Sequence, residues 1–322
     1  MYKRQVMVNP DVPVLIEAFR KKLCGTDKCP ADSTLRTYAY SIAWLKQRID
    51  FPETGMPSPE KVMEYMNNAK IPPVKKCQIY TALKKWHGCH GDKCSCDKYG
   101  KPLVNAKREV DAFYDKQERT PKQEKNWIEY PALKAFCNGL RDEVLTYSKH
   151  MFWEKEQFIK AQLAFILLFH MKYPVRRDLA TVKWGKPEYG PTENFIDPST
   201  KTIVLRKYKT ARWMGEKSFI LTRVMWKIWS MLKIQQKKRQ INSGYILLNK
   251  YYRPMSPNGF TSWLTREMKR CEGCEKKAIG CMLLKHCCIT HKRRHEMTNQ
   301  QKREYAEKCL HSVSKNNQYR VH

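Results

Sequence analysis

Four polar segments in the second half of the chain carry side chains that a plain hydrophobic core would not need. They are "YPVRRDLATVKW" (173–184), "KYKTARWMGEK" (207–217), "LLKHCCITH" (283–291) and "LHSVSKNNQYR" (310–320). Arg176 and Arg177 follow a long apolar run that Pro174 must end, because proline cannot continue a helix. A guanidinium held there presents a planar fork that grips a phosphate through two parallel hydrogen bonds. An ion pair with Asp178, or plain solvation, would use the same residues without chemistry. Lys209 lies in a turn between two β-rich runs, where a long side chain reaches into a groove or simply into solvent. Lys285 and His286 interrupt an apolar helix pattern, as site residues or as side chains snorkelling to the surface. His311 follows another helix pattern, and Tyr319 comes eight residues later. A tyrosine hydroxyl, with its ordinary pKa near 10, attacks poorly unless cations surround the reacting centre. The first three segments can supply that basic pocket; without them Tyr319 is a polar tail residue.

The thirteen cysteines are a second set of candidates. "HGCHGDKCSC" gathers His87, Cys89, His90, Cys94 and Cys96, with Cys24 and Cys29 available from another loop. "CEGC" places Cys271 and Cys274 at a helix end, with Cys281 seven residues on. Both offer the ligand types of a zinc site, but the first spacing matches no zinc pattern well and the second, a CxxC with a third thiol, lacks an evident fourth ligand. Ordinary reduced thiols are the competing reading. So many cysteines, with no charged-then-apolar leader, fit an intracellular setting better than a disulfide framework, with nucleus and cytoplasm both open. The opening "MYKRQ" is also what a common sequencing adapter reads as when translated, so the native start is open.

The elements that would hold these residues can be read from periodicity. Leu35, Tyr38, Ile42 and Leu45 recur at helical spacing across 33–49. Ser58 followed by Pro59 starts a second helix, and 74–86 and 104–115 read as two more, with a glycine- and cysteine-rich loop between them. Residues 115–126 contain no apolar side chain and read as a linker. This divides the chain into a helical domain at 1–114 and a second domain at 127–322. In the second, "EKEQFIKAQLAFILLFHMKY" is apolar on most faces and reads as a buried helix. "NFI", "TIVLRKY" and "KSFILT" read as strands, the last two joined by a hairpin-like turn at Gly215. Another serine-then-proline start precedes "NGFTSWLTREMKR", and Thr298 with Gln301 forms a capping box. The expected class is mainly α with a small inserted antiparallel sheet (α+β).

Lysine and arginine outnumber aspartate and glutamate 62 to 31, a net charge of +31 spread along the chain. A polyanion partner follows. No apolar run reaches the ~18 residues of a membrane span, so nucleic acid is favoured over a membrane surface.

The order of the four segments resembles the catalytic domain of the tyrosine recombinases, the phage-integrase family, in the style of integrases of large DNA viruses. The likeness extends to the first domain, where "TLRTYAYSIAWL", the charged linker and "QEKNWIEYPAL" look like a core-binding domain leading into a catalytic domain. The resemblance implies that Arg176, with Arg177 as the alternative, is the family's first arginine. Lys209 is then the hairpin lysine that protonates the leaving 5′ oxygen, His311 the late histidine and Tyr319 the nucleophile. It also implies a homo-oligomer, dimer to tetramer, on DNA, and chemistry that needs no cofactor. In the third segment the chain departs from the pattern: Met282 stands at the family's histidine position and Lys285 at its arginine position. Lysine keeps the charge but loses the bidentate fork. A non-catalytic DNA-binding protein of the same fold is therefore the rival reading. A type IB topoisomerase, which shares the chemistry but needs no specific site, is a third.

Overall fold

The computed structural model of the chain describes residues 9–24, 30–53, 55–185, 192–293 and 297–321. Two compact units emerge, Met1–Lys116 and Gln117–His322. Both are mainly helical, and the second contains a small four-stranded sheet.

In the first unit the helical stripe is the core face: Leu35, Ala39, Ile42 and Leu45 of helix Asp32–Lys46 are all buried. Ser58 caps helix Pro59–Asn68, its hydroxyl accepting the Lys61 N–H at 3.3 Å, and Pro59 fills the first position, where no backbone donor is needed. The cysteine-rich segment is not the loop that its composition suggests. Helix Pro73–Cys89 runs into it, Gly91 turns the chain at φ 77°, and Asp92 caps the short helix Lys93–Lys98 by accepting the Ser95 N–H. Asp92 also meets His87, Oδ2 to Nδ1 at 2.9 Å. The Ser95 hydrogen bonds, and then His87, hold the Asp92 carboxyl down at about 2. Local capping thus overrides a composition rich in turn formers.

The second unit opens on another difference. The stretch expected as a linker ends in helix Pro121–Asn126, secured by a reciprocal capping box between Thr120 and Gln123. Helix Lys155–Lys172 is buried on nearly every face, through Phe158, Ala161, Phe165, Ile166 and Phe169 among others. Helices Tyr130–Thr146, Arg223–Lys238 and Cys281–Lys292 pack around it. No helix among the described residues is long and apolar enough to cross a membrane.

The strands are β1 (Val182–Trp184), β2 (Asn194–Asp197), β3 (Thr202–Leu205) and β4 (Lys217–Ile220), in that spatial order. β2 with β3 and β3 with β4 are antiparallel, but β1 pairs parallel to β2, so the sheet is mixed rather than purely antiparallel. A strand of three residues is too short to show a period, which is why "VKW" escapes pattern reading. Gly215 does turn the chain between β3 and β4 at φ 65°. The connection is nevertheless more than a hairpin, for it contains the one-turn helix Ala211–Met214.

Candidate active site

Tyr319 is held by the last segments of the second unit. Helix Asn299–Lys308 ends, Leu310 takes a left-handed conformation at φ 58°, and Ser312 caps the short helix Val313–Asn317 by accepting the Lys315 N–H. Tyr319 follows, its N–H donating to the Asn316 carbonyl at 3.1 Å. Two further contacts fix this segment: Val321 N–H donates to Thr290 Oγ1 at 3.1 Å, and the buried Arg293 guanidinium donates to Asn317. Tyr319 is only 5% exposed, so it is not a frayed tail.

Arg176 stands just past the end of the buried helix. The buried helix ends at Lys172, Pro174 prevents its continuation, and Arg176 stands just before the 3-10 helix Arg177–Thr181. Arg176 Nη2 lies 3.4 Å from the Tyr319 hydroxyl, in position to donate to it. Arg177 is directed elsewhere, to the Asn258 side-chain carbonyl. Of the two arginines, Arg176 is the one that meets Tyr319.

Lys285 comes from helix Cys281–Lys292 and is fully buried, which excludes snorkelling. Its Nζ donates to the Cys309 carbonyl at 2.6 Å and sits 5.3 Å from the Tyr319 ring centroid. Burial pulls its pKa down to about 7, and the nearby Arg176 charge adds to that. Met282, one turn earlier on the same helix, points outward and is 46% exposed.

His311 stacks on Tyr319, with ring centroids 4.6 Å apart and planes 1° from parallel. Neither of its ring nitrogens has a hydrogen-bond partner, although the residue is 4% exposed. Burial, then the positive charges of Lys285, Arg176 and Lys315, push its pKa down to about 2, so the ring is neutral. A neutral imidazole retains one N–H to donate and one nitrogen to accept. The same field reaches deeper. His170, in the last turn of the buried helix, is lowered to about 4 by burial, with Lys285 contributing. Asp178 has its pKa raised by burial even with Arg176 and Lys285 beside it.

Lys209 does not join this group. It is exposed on the β3–β4 connection, and among the described residues no hydrogen bond or ion pair links it to Arg176, Lys285, His311 or Tyr319. The connection itself is tied to the site one residue later, where the Thr210 hydroxyl donates to the Leu310 carbonyl at 3.0 Å. His286, open in the sequence between a site residue and a snorkelling side chain, also lies against Tyr319. Its Nδ1 lies 2.9 Å from the Tyr319 backbone carbonyl and its ring 4.8 Å from the phenol. Its polarity within an apolar helix was the available signal.

The cysteine candidates do not assemble into a metal site. Among the described residues no three His, Cys, Asp or Glu side chains converge to hold an ion. Cys89, Cys94, Cys96, Cys271, Cys274 and Cys281 carry free thiols. The Cys89 thiol instead donates to the Trp86 carbonyl, and Cys271, Cys274 and Cys281 are buried in the core. Cys24 is disulfide-bonded, against the expectation of reduced thiols throughout, and Cys29 lies outside the described residues.

The arrangement places one hydroxyl beside Arg176, Lys285 and two weakly basic imidazoles, with no acidic group hydrogen-bonded to it among the described residues. Such a centre can hold a phosphodiester and stabilise charge developing on its oxygens. No protein-family model and no curated protein matches the chain. Several solved structures are similar to it. They are recombinases and integrases. XerA recombinase matches at 12% identity and TM-score 0.41, over 95% of this chain and 93% of that one. The XerH site-specific recombinase bound to difH substrate, a pre-cleavage complex, matches at 12% identity and TM-score 0.45, over 99% and 82%. A lambda integrase dimer bound to a COC′ core site matches at 11% identity and TM-score 0.44, over 96% and 94%.

Proposed function

We propose that the chain is a site-specific DNA recombinase of the integrase type, serving a mobile or viral element and cutting DNA through Tyr319. The observation that carries this reading is the convergence of Arg176, Lys285 and His311 on one buried phenol, with Arg176 Nη2 3.4 Å from its hydroxyl. In this reading the Tyr319 oxygen bonds to a backbone phosphorus in line with the 5′ oxygen, whose bond to phosphorus breaks. A 3′-phosphotyrosyl link results and conserves the bond for rejoining. Arg176, Lys285 and His311 hold the non-bridging oxygens as charge builds on them. Lys285, with its pKa brought down to about 7, has a neutral fraction near pH 7 that can take the phenolic proton. Lys209, exposed on the β3–β4 connection, supplies a proton to the departing 5′ oxygen of DNA bound across the site. The net charge of +31 grips the phosphate backbone, giving affinity that falls steeply with salt. Copies of this chain assemble on double-stranded DNA as a dimer or tetramer.

The test uses a library of nicked duplexes with a randomised core, in which loss of a short fragment past the nick prevents religation. The expected result is a detergent-stable protein–DNA adduct on a subset of sequences, absent with Tyr319→Phe. No adduct on any member of the library overturns the reading. One pair of observations favours a second reading, a DNA-binding protein of the same layout without turnover. Lys285 is committed to the Cys309 carbonyl and Lys209 is not engaged. Sequence-selective binding with no adduct selects it.

A further inference from the structure

The β3–β4 connection carries a feature that phosphate chemistry does not use. Trp213 is 79% exposed, the most exposed of the large apolar side chains among the described residues. It does not sit on a slack loop. The Tyr208 hydroxyl donates to the Gly215 carbonyl at 2.6 Å across the base of the connection, and Arg206 pairs with Glu216. Within the turn Ala211–Met214, Ala211 and Met214 pack against the core while Arg212 and Trp213 face out. The Arg212 guanidinium lies 5.2 Å from the indole centroid. The start of the turn is anchored beside the candidate active site by Thr210 and the Leu310 carbonyl, the residue before His311.

An indole fixed in this way, about one helical turn or ~5 Å of backbone from that anchor, is a large flat surface kept in water. Its cost is tolerated where a flat apolar ligand covers it. The neighbouring exposed side chains are Lys207, Lys209, Arg212 and Glu216, and with Glu216 paired to Arg206 the remaining cations select an anionic polymer. A membrane surface calls for a broad apolar face, and here a single ring stands among charges. A nucleobase with its backbone phosphates satisfies both features, because every base offers a π-face to an aromatic side chain and a phosphate to a cation. Resting on the recombinase reading of the adjacent site, we infer that Trp213 is a stacking platform for a base lifted out of the duplex next to the phosphate held at Tyr319. It would stabilise the opened base step that strand exchange requires.

The test compares binding of the full chain to two short DNA duplexes of one sequence, one fully paired and one with a single unpaired 2-aminopurine. The wild type should bind the second about tenfold tighter and quench its fluorescence, and Trp213→Ala should lose the preference while Trp213→Phe keeps most of it. Because Trp213 is exposed, neither variant should disturb folding. Equal binding of both duplexes by the wild type, or a preference that survives Trp213→Ala, overturns the inference. So does loss of binding to phosphatidylserine vesicles in Trp213→Ala with the duplex preference unchanged. Adduct formation through Tyr319 is scored separately. Its absence overturns the recombinase reading, whereas the duplex comparison still decides the role of Trp213.

Discussion

The imidazole of His311 lies flat on the phenol of Tyr319, 4.6 Å between centroids and 1° from parallel. The stack fixes the plane of the phenol, and both imidazole nitrogens are buried without a hydrogen-bond partner among the described residues. Tyr319→Phe keeps the ring, the stack and the burial, and removes only an oxygen held by a 3.4 Å contact. The variant should therefore fold and bind DNA like the wild type, with thermal unfolding unchanged to about 2 °C, yet form no covalent adduct. His311→Ala should lose the stack as well and slow adduct formation at least about a hundredfold. Chelators should leave the wild-type reaction unchanged, because no step above draws on a metal.

Lys285 makes stability depend on pH in a defined direction. Its pKa falls to about 7 in the folded chain, against about 10.4 for an unperturbed lysine. Between these values the unfolded chain binds more protons, so this residue makes stability rise with pH from 7 toward 10. Below 7 the buried charge weighs against folding in full. Wild-type stability relative to Lys285→Met should thus grow by about 2 kcal/mol between pH 7 and pH 9. Urea unfolding at the two values checks it, and a difference independent of pH would contradict it.

The same lysine separates the catalytic reading from its rival. An arginine at position 285 would restore the bidentate fork but would have to replace the amine that donates to the Cys309 carbonyl at 2.6 Å in a site with no exposure. If Lys285 is part of a working centre, Lys285→Arg should cut adduct formation about tenfold or more through overpacking and the loss of a titratable base. A gain of cleavage in Lys285→Arg, from a wild type with little or none, would select the weakened DNA-binding protein.

What could be read in advance depended on how local the signal was. Pro174 after an all-apolar helix sufficed to place Arg176 at its end, and the serine caps at Ser58 and Ser256 marked helix starts that the structure contains. Tyr319 was legible only through its order after the basic segments. The burial of Lys285 was not legible, because it depends on which helices surround Cys281–Lys292 rather than on the helix's own pattern. The choice between the two readings of His286 was not legible for the same reason: its partner is a backbone carbonyl 33 residues away. The sheet showed the limit of periodicity, since β1 has three residues and no alternation to detect. The short helices at Lys93–Lys98 and Pro121–Asn126 are held by side-chain caps at Asp92 and Thr120, and composition alone pointed to loop and linker.

Thr210 links the element that carries Lys209 to the segment that carries His311, through one hydroxyl donating to the Leu310 carbonyl at 3.0 Å. Leu310 is already in the left-handed region at φ 58°, a conformation that a non-glycine residue keeps only when its surroundings hold it there. Thr210→Val preserves shape and removes the donor, leaving a part-buried carbonyl unpaired at a cost of about 1–3 kcal/mol. Among the described residues no hydrogen bond joins Arg176, Lys285 or Tyr319 to Thr210 or to the Leu310 carbonyl. DNA affinity should therefore stay within about twofold of the wild type, because most of it comes from backbone phosphates. If Lys209 delivers the leaving-group proton, the rate of adduct formation should fall in Thr210→Val and fall further in Lys209→Ala. A DNA strand with a 5′-bridging sulfur needs no proton on departure, so it should restore both variants toward the wild-type rate. Rescue of neither variant by the sulfur substrate would remove Lys209 from the reaction and place the general acid elsewhere in the cluster.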